Sequence, residues 1–514
     1  MEHHYYFLYL GLALISLVIV LANRHRAAAS ATVHEKLRLP PGPWQLPVIG
    51  SLHHIAGKLP HHAMRDLARR HGPVMLLRIG ELPTVVLSSP EAAREVMKMH
   101  DLAFSSRPMS ATISEITNGG RDIIFAPYGE YWRQLRKIAI TELLSARRVL
   151  SFRRVREEEV AAMLRAVAAA ASTRHAVVDM RERLSAVVSD ASARVVLGDR
   201  CKDRDMFLRQ LELANQLVAG FNPADLWPSS WLARRLSSAV RRAKECQDKV
   251  FRIFDGIIKE HLDRMNSGQA REGEDLLHVL LKIQRDGELQ IPLDMDAIKS
   301  MILDLFSAGS ETSATALEWC LAELIRNPRA MERATAEVRR AFAACGMVSE
   351  HRLSDLRYLH LVIRETLRLH PPLPLLLPRE CQEPCSVLGY DVPRGVAVIV
   401  NAWALGRDER CWPGGDPEKF RPERFEEDGG EVDFKGTDFR FLPFGAGRRM
   451  CPGVTFGLAN VELPLASLLF HFDWEVPGMA GLAKFDMTET FGVATRRKAG
   501  LLLRPIVRIP VPGA

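Results

Sequence analysis

Residues Phe444 to Gly453 read FGAGRRMCPG. One cysteine, Cys451, stands there among the glycines Gly445, Gly447 and Gly453 and the arginines Arg448 and Arg449. A long apolar helical pattern, Val454 to Leu469, starts directly after it. A lone cysteine is by default a small buried hydrophobe. A thiol at the start of a helix differs, because backbone N–H groups and the positive end of the helix dipole favour the thiolate. The glycines let the backbone approach a flat group that a Cβ would obstruct. The string reads as a ligand loop.

The pattern F-x-x-G-x-R-x-C-x-G, matched at Phe444, Gly447, Arg449, Cys451 and Gly453, resembles the haem-binding loop of the cytochrome P-450 enzymes, the haem-thiolate monooxygenases. The resemblance implies heme b with the Cys451 thiolate as axial iron ligand, a ligand that favours cleavage of a bound O–O bond. It further implies a haem propionate paired with Arg449, a sulfur shielded by Phe444, and a mainly α fold with small β-sheets.

Upstream, Met295 to Arg326 is long and apolar and reads as one helix ended by Asn327–Pro328. In its middle lies AGSET, Ala308 to Thr312. A glycine and two hydroxyls inside a helix weaken it and tend to bend the axis or bond back to the carbonyl four residues earlier. By resemblance this is the family's oxygen-activation segment, with Thr312 and Glu311 relaying the protons needed when O–O cleavage releases water. ETLR, Glu365 to Arg368, puts Glu365 and Arg368 on one helical face. It matches the family's E-x-x-R motif, and PERF (Pro422 to Phe425) supplies Arg424 as the third member of a structural charge network. In YWRQLRK, Trp132 and Arg136 are four apart; the family places a Trp and an Arg at this spacing against a haem propionate. Arg379 is the remaining propionate candidate.

The chain has 514 residues, with 69 Lys and Arg against 62 Asp and Glu, a net charge of +7. Length alone suggests two or more domains. No Gly/Ser linker or repeat divides the chain after residue 50, however, so one large helical domain is expected. The run Tyr5 to Ala22 carries no charge and is long enough to span a membrane. A cleaved signal peptide is the rival reading, with Ala27 to Ala31 as its small-residue site. Arg24, Arg26, Lys36 and Arg38 follow the run, so the positive-inside rule places the body in the cytosol. The expected organisation is a membrane anchor over 1–23, a basic and proline-rich hinge over 24–50, and a catalytic domain over 51–514. By family resemblance the anchor sits in the endoplasmic reticulum membrane. In LPPGPWQLPVIG, Leu39 to Gly50, the prolines Pro40, Pro41, Pro43 and Pro47 make a stiff extended hinge. The eight scattered cysteines fit reducing cytosol; Cys381 and Cys385 lack a second half for a zinc site and read as structural. No basic run interleaved with aromatics supports nucleic-acid binding. The charge suits an acidic protein partner and an anionic membrane face.

Val74 to Ile79 and Thr84 to Ser88 read as a hairpin about Gly80–Pro83, and Val387 to Val400 as a second strand-rich patch. Ala146 to Ala170 and Arg241 to Arg264 read as helical.

No G-x-G-x-x-G lies between a strand and a helix, so the chain does not hold its own nicotinamide. The family implies electrons from NADPH through a flavin-containing reductase, NADPH–cytochrome P-450 reductase, docking on a basic face near Cys451 with Arg448 turned outward. Family position also assigns a greasy pocket to Ile123, Phe125, Leu305, Phe306, Ala308, Leu375, Leu376, Leu377, Phe491 and Val493. Such a pocket suits a lipophilic substrate: a terpenoid, an indole or another aromatic. Trp227 and Trp231 are placed at the bilayer interface. Two other classes share the motifs. A haem-thiolate isomerase or dehydratase has no need of the Thr312 hydroxyl; a haem sensor or electron carrier has no need of an apolar pocket.

Overall fold

Among the described residues, helices that position the site follow the apolar periods of the sequence in this computed structural model. They are α1 (Pro60–His71), α2 (Ala111–Ile116), α3 (Glu130–Ile138), α4 (Arg153–Ala171), α5 (Met180–Leu197), α6 (Arg204–Val218), α7 (Ala239–Asn266), α8 (Leu276–Asp286), α9 (Met295–Arg326), α10 (Pro328–Phe342), α11 (Arg357–Leu369) and α12 (Val454–His471). The structure describes residues 37–513 apart from 174–175, 202, 268–273, 414, 428–431 and 479–484. The expected anchor, Tyr5 to Ala22, lies outside the described residues.

Local signals set the helix ends. Asp294 caps α9 by accepting the Ala297 N–H at 2.7 Å. At the other end Asn327 stops it, its side-chain amide bonding the Glu323 carbonyl at 2.8 Å, and Pro328 starts α10. Helix α11 has no cap of its own. Glu337 of α10 supplies one, accepting the N–H groups of Tyr358 and Leu359 at 2.8 and 2.9 Å. The Ala-rich run expected from Ala146 is broken at Phe152 into a short helix, Ala146–Ser151, and α4.

Helix α9 runs through the middle. Every residue from Ser313 to Ile325 is buried, as befits a helix wrapped on all sides. Its C-terminal half packs with α4, α5, α10, α11 and α12 in the largest core cluster. Its N-terminal half packs with α3, α6, α7 and α8 in the second. Helix α12 is long and apolar enough to cross a membrane but is 67% buried within the protein, so it is a core helix.

Among the described residues, nine strands make three sheets: β1 (Val74–Ile79), β2 (Leu82–Leu87), β3 (Val178–Asp179), β4 (Arg379–Glu380), β5 (Cys385–Val387), β6 (Tyr390–Val392), β7 (Ala397–Val400), β8 (Phe472–Glu475) and β9 (Leu502–Val507). The orders are β1-β2-β7-β4, β3-β9-β8 and β5-β6. Both expected strand patches are present. Strand β2 runs parallel to β7, with Val85 opposite Val398, and β4 pairs antiparallel with β7, with Arg379 opposite Val398. The sheet therefore delivers Arg379 to a fixed place. The proline-rich segment lies along the same sheet rather than free of it: the Leu76 N–H donates to the Pro41 carbonyl at 2.8 Å. A Cβ on Gly42 would fall 2.0 Å from the Leu76 oxygen.

Candidate active site

Cys451 lies in the loop between a short 3-10 turn, Gly447–Arg449, and the first turn of α12. Its N–H donates to the Phe444 carbonyl at 3.0 Å, closing the loop. Its sulfur is wrapped by protein, and the surface it exposes faces a cavity of about 230 Å³. Burial pushes the thiol pKa up; the Gly453 N–H and the Arg136 charge act against that. Gly447 has φ +68°, and a Cβ there would meet the Met97 carbonyl at 2.3 Å and Asp101 Oδ1 at 2.5 Å. Only glycine satisfies both conditions.

Helix α9 crosses the opposite wall. Its continuous secondary structure passes through AGSET, and both hydroxyls bond backward: Ser310 Oγ to the Phe306 carbonyl at 2.7 Å, Thr312 Oγ1 to the Ala308 carbonyl at 2.6 Å. A Cβ on Gly309 would come within 2.8 Å of the Phe456 ring of α12, so the two helices cross closely at this point. Asp304, Leu305, Ala308, Gly309, Thr312 and Ser313 all line the cavity.

The cavity wall is mainly apolar, and cations gather on it. Four guanidiniums line it: Arg107, Arg136, Arg379 and Arg449. Arg449 donates to the carbonyls of Ser105 (2.6 Å) and Ala126 (2.5 Å) and lies 4.3 Å over the Trp132 ring. Arg379 pairs with Asp101 at 2.8 Å, and Arg136 donates to the Met450 carbonyl. Arg107 donates to the carbonyls of Ile124 (2.8 Å), Leu377 and Pro378 (both 3.0 Å). Burial depresses all four, and Arg379 adds to the effect on Arg449, which falls to about 10. Four cations held together in an apolar cavity call for an anionic ligand. A flat, apolar group with two carboxylates and a metal open to a thiolate fits this cavity: Cys451 faces it, glycine backbone borders it, and the four cations line it.

The remaining expected residues fall into two groups. Ile123, Leu305, Ala308, Leu377, Phe444 and Gly453 line the cavity. Trp132 lines it too, but its indole N–H donates to the Ile123 carbonyl at 2.9 Å. Glu311 is not in the lining. It pairs with Arg496 at 3.0 Å and accepts from Asn215, and burial raises its pKa. Phe125, Phe306, Leu375, Phe491 and Val493 are not in the lining either; Phe306 packs in the second core cluster instead. Leu376 takes a left-handed φ of 52°, which turns the chain at this point. Leu376 and Leu377 then both face the cavity, while Leu375 packs with Met75, Leu77 and Val86. Phe491 lies 48% exposed with its ring 5.6 Å from Phe221.

Sequence reasoning missed Arg107 and a carboxyl pair. Asp304 Oδ2 accepts the Ile123 N–H at 2.8 Å, and Asp122 Oδ1 accepts those of Phe125 and Ala126 at 2.8 and 2.9 Å. Burial raises Asp122 to about 6; burial and the neighbouring Asp122 raise Asp304 well above the carboxylate range. The spacing held a signal: Asp304, Ala308 and Thr312 are four apart and share one helical face. Arg107 stands alone in SSRPM and carries no such signal.

A family model described as cytochrome P-450 matches residues 40–503. Zealexin A1 synthase of Zea mays is 48% identical over 483 residues, covering 93% of this chain and 95% of that protein. Dolabradiene monooxygenase of Zea mays is 46% identical over 502 residues, covering 97% and 98%. Tabersonine 16-hydroxylase 1 of Catharanthus roseus is 43% identical over 507 residues, covering 98% of each. Among solved structures, a zebra fish cytochrome P-450 with progesterone superposes with a TM-score of 0.73 at 25% identity, covering 87% of this chain and 99% of that one.

Proposed function

This chain belongs to the cytochrome P-450 family and is a haem-thiolate monooxygenase, and we propose that it oxidises a lipophilic specialised metabolite, a terpenoid or an alkaloid, in the cavity between Cys451 and Thr312. The observation that carries this reading is that Cys451, the Thr312 side chain and four guanidiniums line one apolar cavity. Haem, once bound, supplies the redox chemistry that inserts one atom of O2 into the substrate, with the thiolate favouring O–O cleavage.

The chain's own residues would then divide the work. Cys451 holds the iron, and the Gly453 N–H beside the sulfur tempers its basicity. Arg136, Arg379, Arg449 and Arg107 hold the propionates. Thr312 Oγ1, anchored on the Ala308 carbonyl, holds a proton at the cavity wall, and Glu311 just outside the lining exchanges protons with solvent through that wall. Ile123, Leu305, Ala308 and Leu377 exclude water and orient an apolar substrate.

The partner and the membrane belong to the same proposal. Electrons come from NADPH through cytochrome P-450 reductase in the endoplasmic reticulum membrane. Arg448, 45% exposed beside the Cys451 loop, offers that reductase a cation. A second face is apolar: Trp44, Leu46, Val48, Trp231, Leu232 and Leu236 are exposed, and the Trp227 N–H binds the Val48 carbonyl at 2.9 Å to join the two segments. Trp227 is thereby half-buried, and Trp231, 72% exposed, is the aromatic turned outward to the bilayer interface.

Reconstitution with reductase, NADPH and a panel of diterpene hydrocarbons, sesquiterpenes and indole alkaloids tests the reading. The expected result is an oxygenated product that requires both NADPH and O2. Product formed equally without NADPH would replace the reading with an isomerase.

A further inference from the structure

Outside the cavity, three imidazoles converge on one carboxylate. His61 Nε2 and His62 Nε2 lie 2.7 and 3.0 Å from the same oxygen, Glu489 Oε2. His370 Nδ1 lies 3.7 Å from the other oxygen, Oε1. The four residues come from separate parts of the chain: the first turn of α1, the residue closing α11, and a C-terminal loop in which Glu489 bridges to Arg497. None of them lines the cavity.

Hydrogen bonding accounts for His61 and His62, each of which donates from Nε2 to the carboxylate. It does not account for His370. Its Nε2 lies 2.7 Å from Glu323 Oε1, and Trp319 stacks on the ring at 3.9 Å and 3°. The ring is thereby fixed with its proton toward Glu323. Nδ1 is left buried without a hydrogen-bond partner and turned toward Glu489. His370, His61 and Glu489 are all more than nine-tenths buried. A neutral ring would set this lone pair against a carboxylate; positive charge relieves that, carried either by a proton on Nδ1 or by a metal ion held between the two groups.

We propose that His61, His62, His370 and Glu489 bind one divalent transition-metal cation of the Zn²⁺ class. Imidazole nitrogens with a single carboxylate suit Zn²⁺ and its neighbours, whereas Mg²⁺ and Ca²⁺ take oxygen sets. The ligand atoms of His61, His62 and Glu489 already lie within 4.8 Å of one another. Closing them to metal–ligand distances of about 2.0–2.2 Å takes side-chain adjustment and the transfer of the His61 and His62 protons from Nε2 to Nδ1 or to solvent. Glu323 plays the orienting part that a carboxylate plays behind a metal-bound histidine. Asn401 fixes the site from the other side, donating to the His61 carbonyl at 2.8 Å. The nearby Arg407 cation is engaged by Glu418 at 2.8 Å. His62, 38% exposed, provides the way in. The bound cation ties α1 to the loop whose Thr495 N–H donates to the Pro372 carbonyl, a cavity-lining residue, at 2.9 Å. It therefore stiffens one wall of the substrate cavity.

The test uses the full-length, haem-loaded protein stripped with a chelator and titrated with ZnCl2, against His62→Gln and Glu489→Gln. The wild type is expected to bind one more Zn²⁺ per chain than His62→Gln, and Zn²⁺ raises its thermal midpoint but not that of the variant. In Glu489→Gln the site's affinity falls at least tenfold. Haem content and the Soret spectrum verify that each variant is folded; His62, being partly exposed, decides the matter if Glu489→Gln does not fold. Equal stoichiometry and affinity in wild type and His62→Gln would assign binding to other surface histidines and overturn the proposal. A midpoint raised as much by Mg²⁺ as by Zn²⁺ would overturn the class of cation.

Discussion

Arg424 Nε donates to Glu365 Oε1 at 2.9 Å although 59 residues separate them, and neither side chain is more than 4% exposed. Arg368 holds the same carboxylate at 2.7 and 2.8 Å, and the Arg421 N–H adds a bond of 2.7 Å. Arg368 in turn reaches the carbonyls of Gly406 and Pro417. One buried carboxylate thus fastens the irregular segment ahead of the Cys451 loop to α11. Removing it by Glu365→Ala leaves two buried guanidiniums without their anion, at a cost of roughly 3–5 kcal/mol. The denaturation midpoint and haem content should both fall; a wild-type midpoint would show that the network does not stabilise the fold.

Thr312 Oγ1 is the hydroxyl that α9 presents to the cavity. Thr312→Ala is expected to lower the ratio of product formed to NADPH consumed by roughly 100-fold, with the missing electrons recovered as hydrogen peroxide. Thr312→Ser keeps the hydroxyl and most of the coupling. Equal coupling in all three proteins would remove Thr312 from the proton path.

The loop that carries the cysteine depends on a backbone conformation. Gly447→Ala must hold a side chain at φ +68° against the Met97 carbonyl. The left-handed residue alone costs about 1–2 kcal/mol, before the clash. Expression with reduced haem content and a lowered midpoint is the expected outcome, and full haem content at the wild-type midpoint would refute it.

Glu462 of α12 gives a pH signature away from the cavity. Burial, with Glu350 adding, raises its carboxyl to about 7, and His360 lies 3.5 Å away. A folded pKa above the unfolded one means the native state binds the extra proton, so this group's contribution to stability falls as pH rises from about 4.5 through 7. Burial lowers His360, and that contribution runs the opposite way. Glu462→Gln removes the first and leaves the second. The variant should match the wild type near pH 4.5 and exceed it by about 1–3 kcal/mol at pH 8, read from denaturation midpoints across pH. A difference that does not grow with pH would contradict the assignment.

Much of the architecture was legible because its signals are local. The apolar run closed by Asn327–Pro328 gave the end of α9, and β-branched alternation gave both strand patches. The family motifs singled out Cys451, Thr312 and three of the four cavity arginines, and all five line the one cavity. What escaped depends on partners distant in sequence. Asp304 matters because the Ile123 amide, 181 residues away, points at it. Arg107 matters because the Leu377 and Pro378 carbonyls come to it across the sheet. Leu375 was misplaced because family position assigned three consecutive leucines to the pocket, whereas the chain turns Leu375 onto Met75, Leu77 and Val86. Glu311 was read from its neighbour Thr312, yet the helical turn directs it to Arg496 rather than into the lining. The cluster of His61, His62, His370 and Glu489 has no sequence spacing at all beyond the adjacent pair.

The central claim is that Cys451 presents a thiolate to haem iron in this cavity. The carbon monoxide difference spectrum of the reduced, haem-replete protein tests it most directly, beside Cys451→Ser. The account predicts a far red-shifted Soret band in the wild type that is lost in the variant. Haem-replete wild-type protein without that band, or a Cys451→Ser variant that keeps it, would contradict the account.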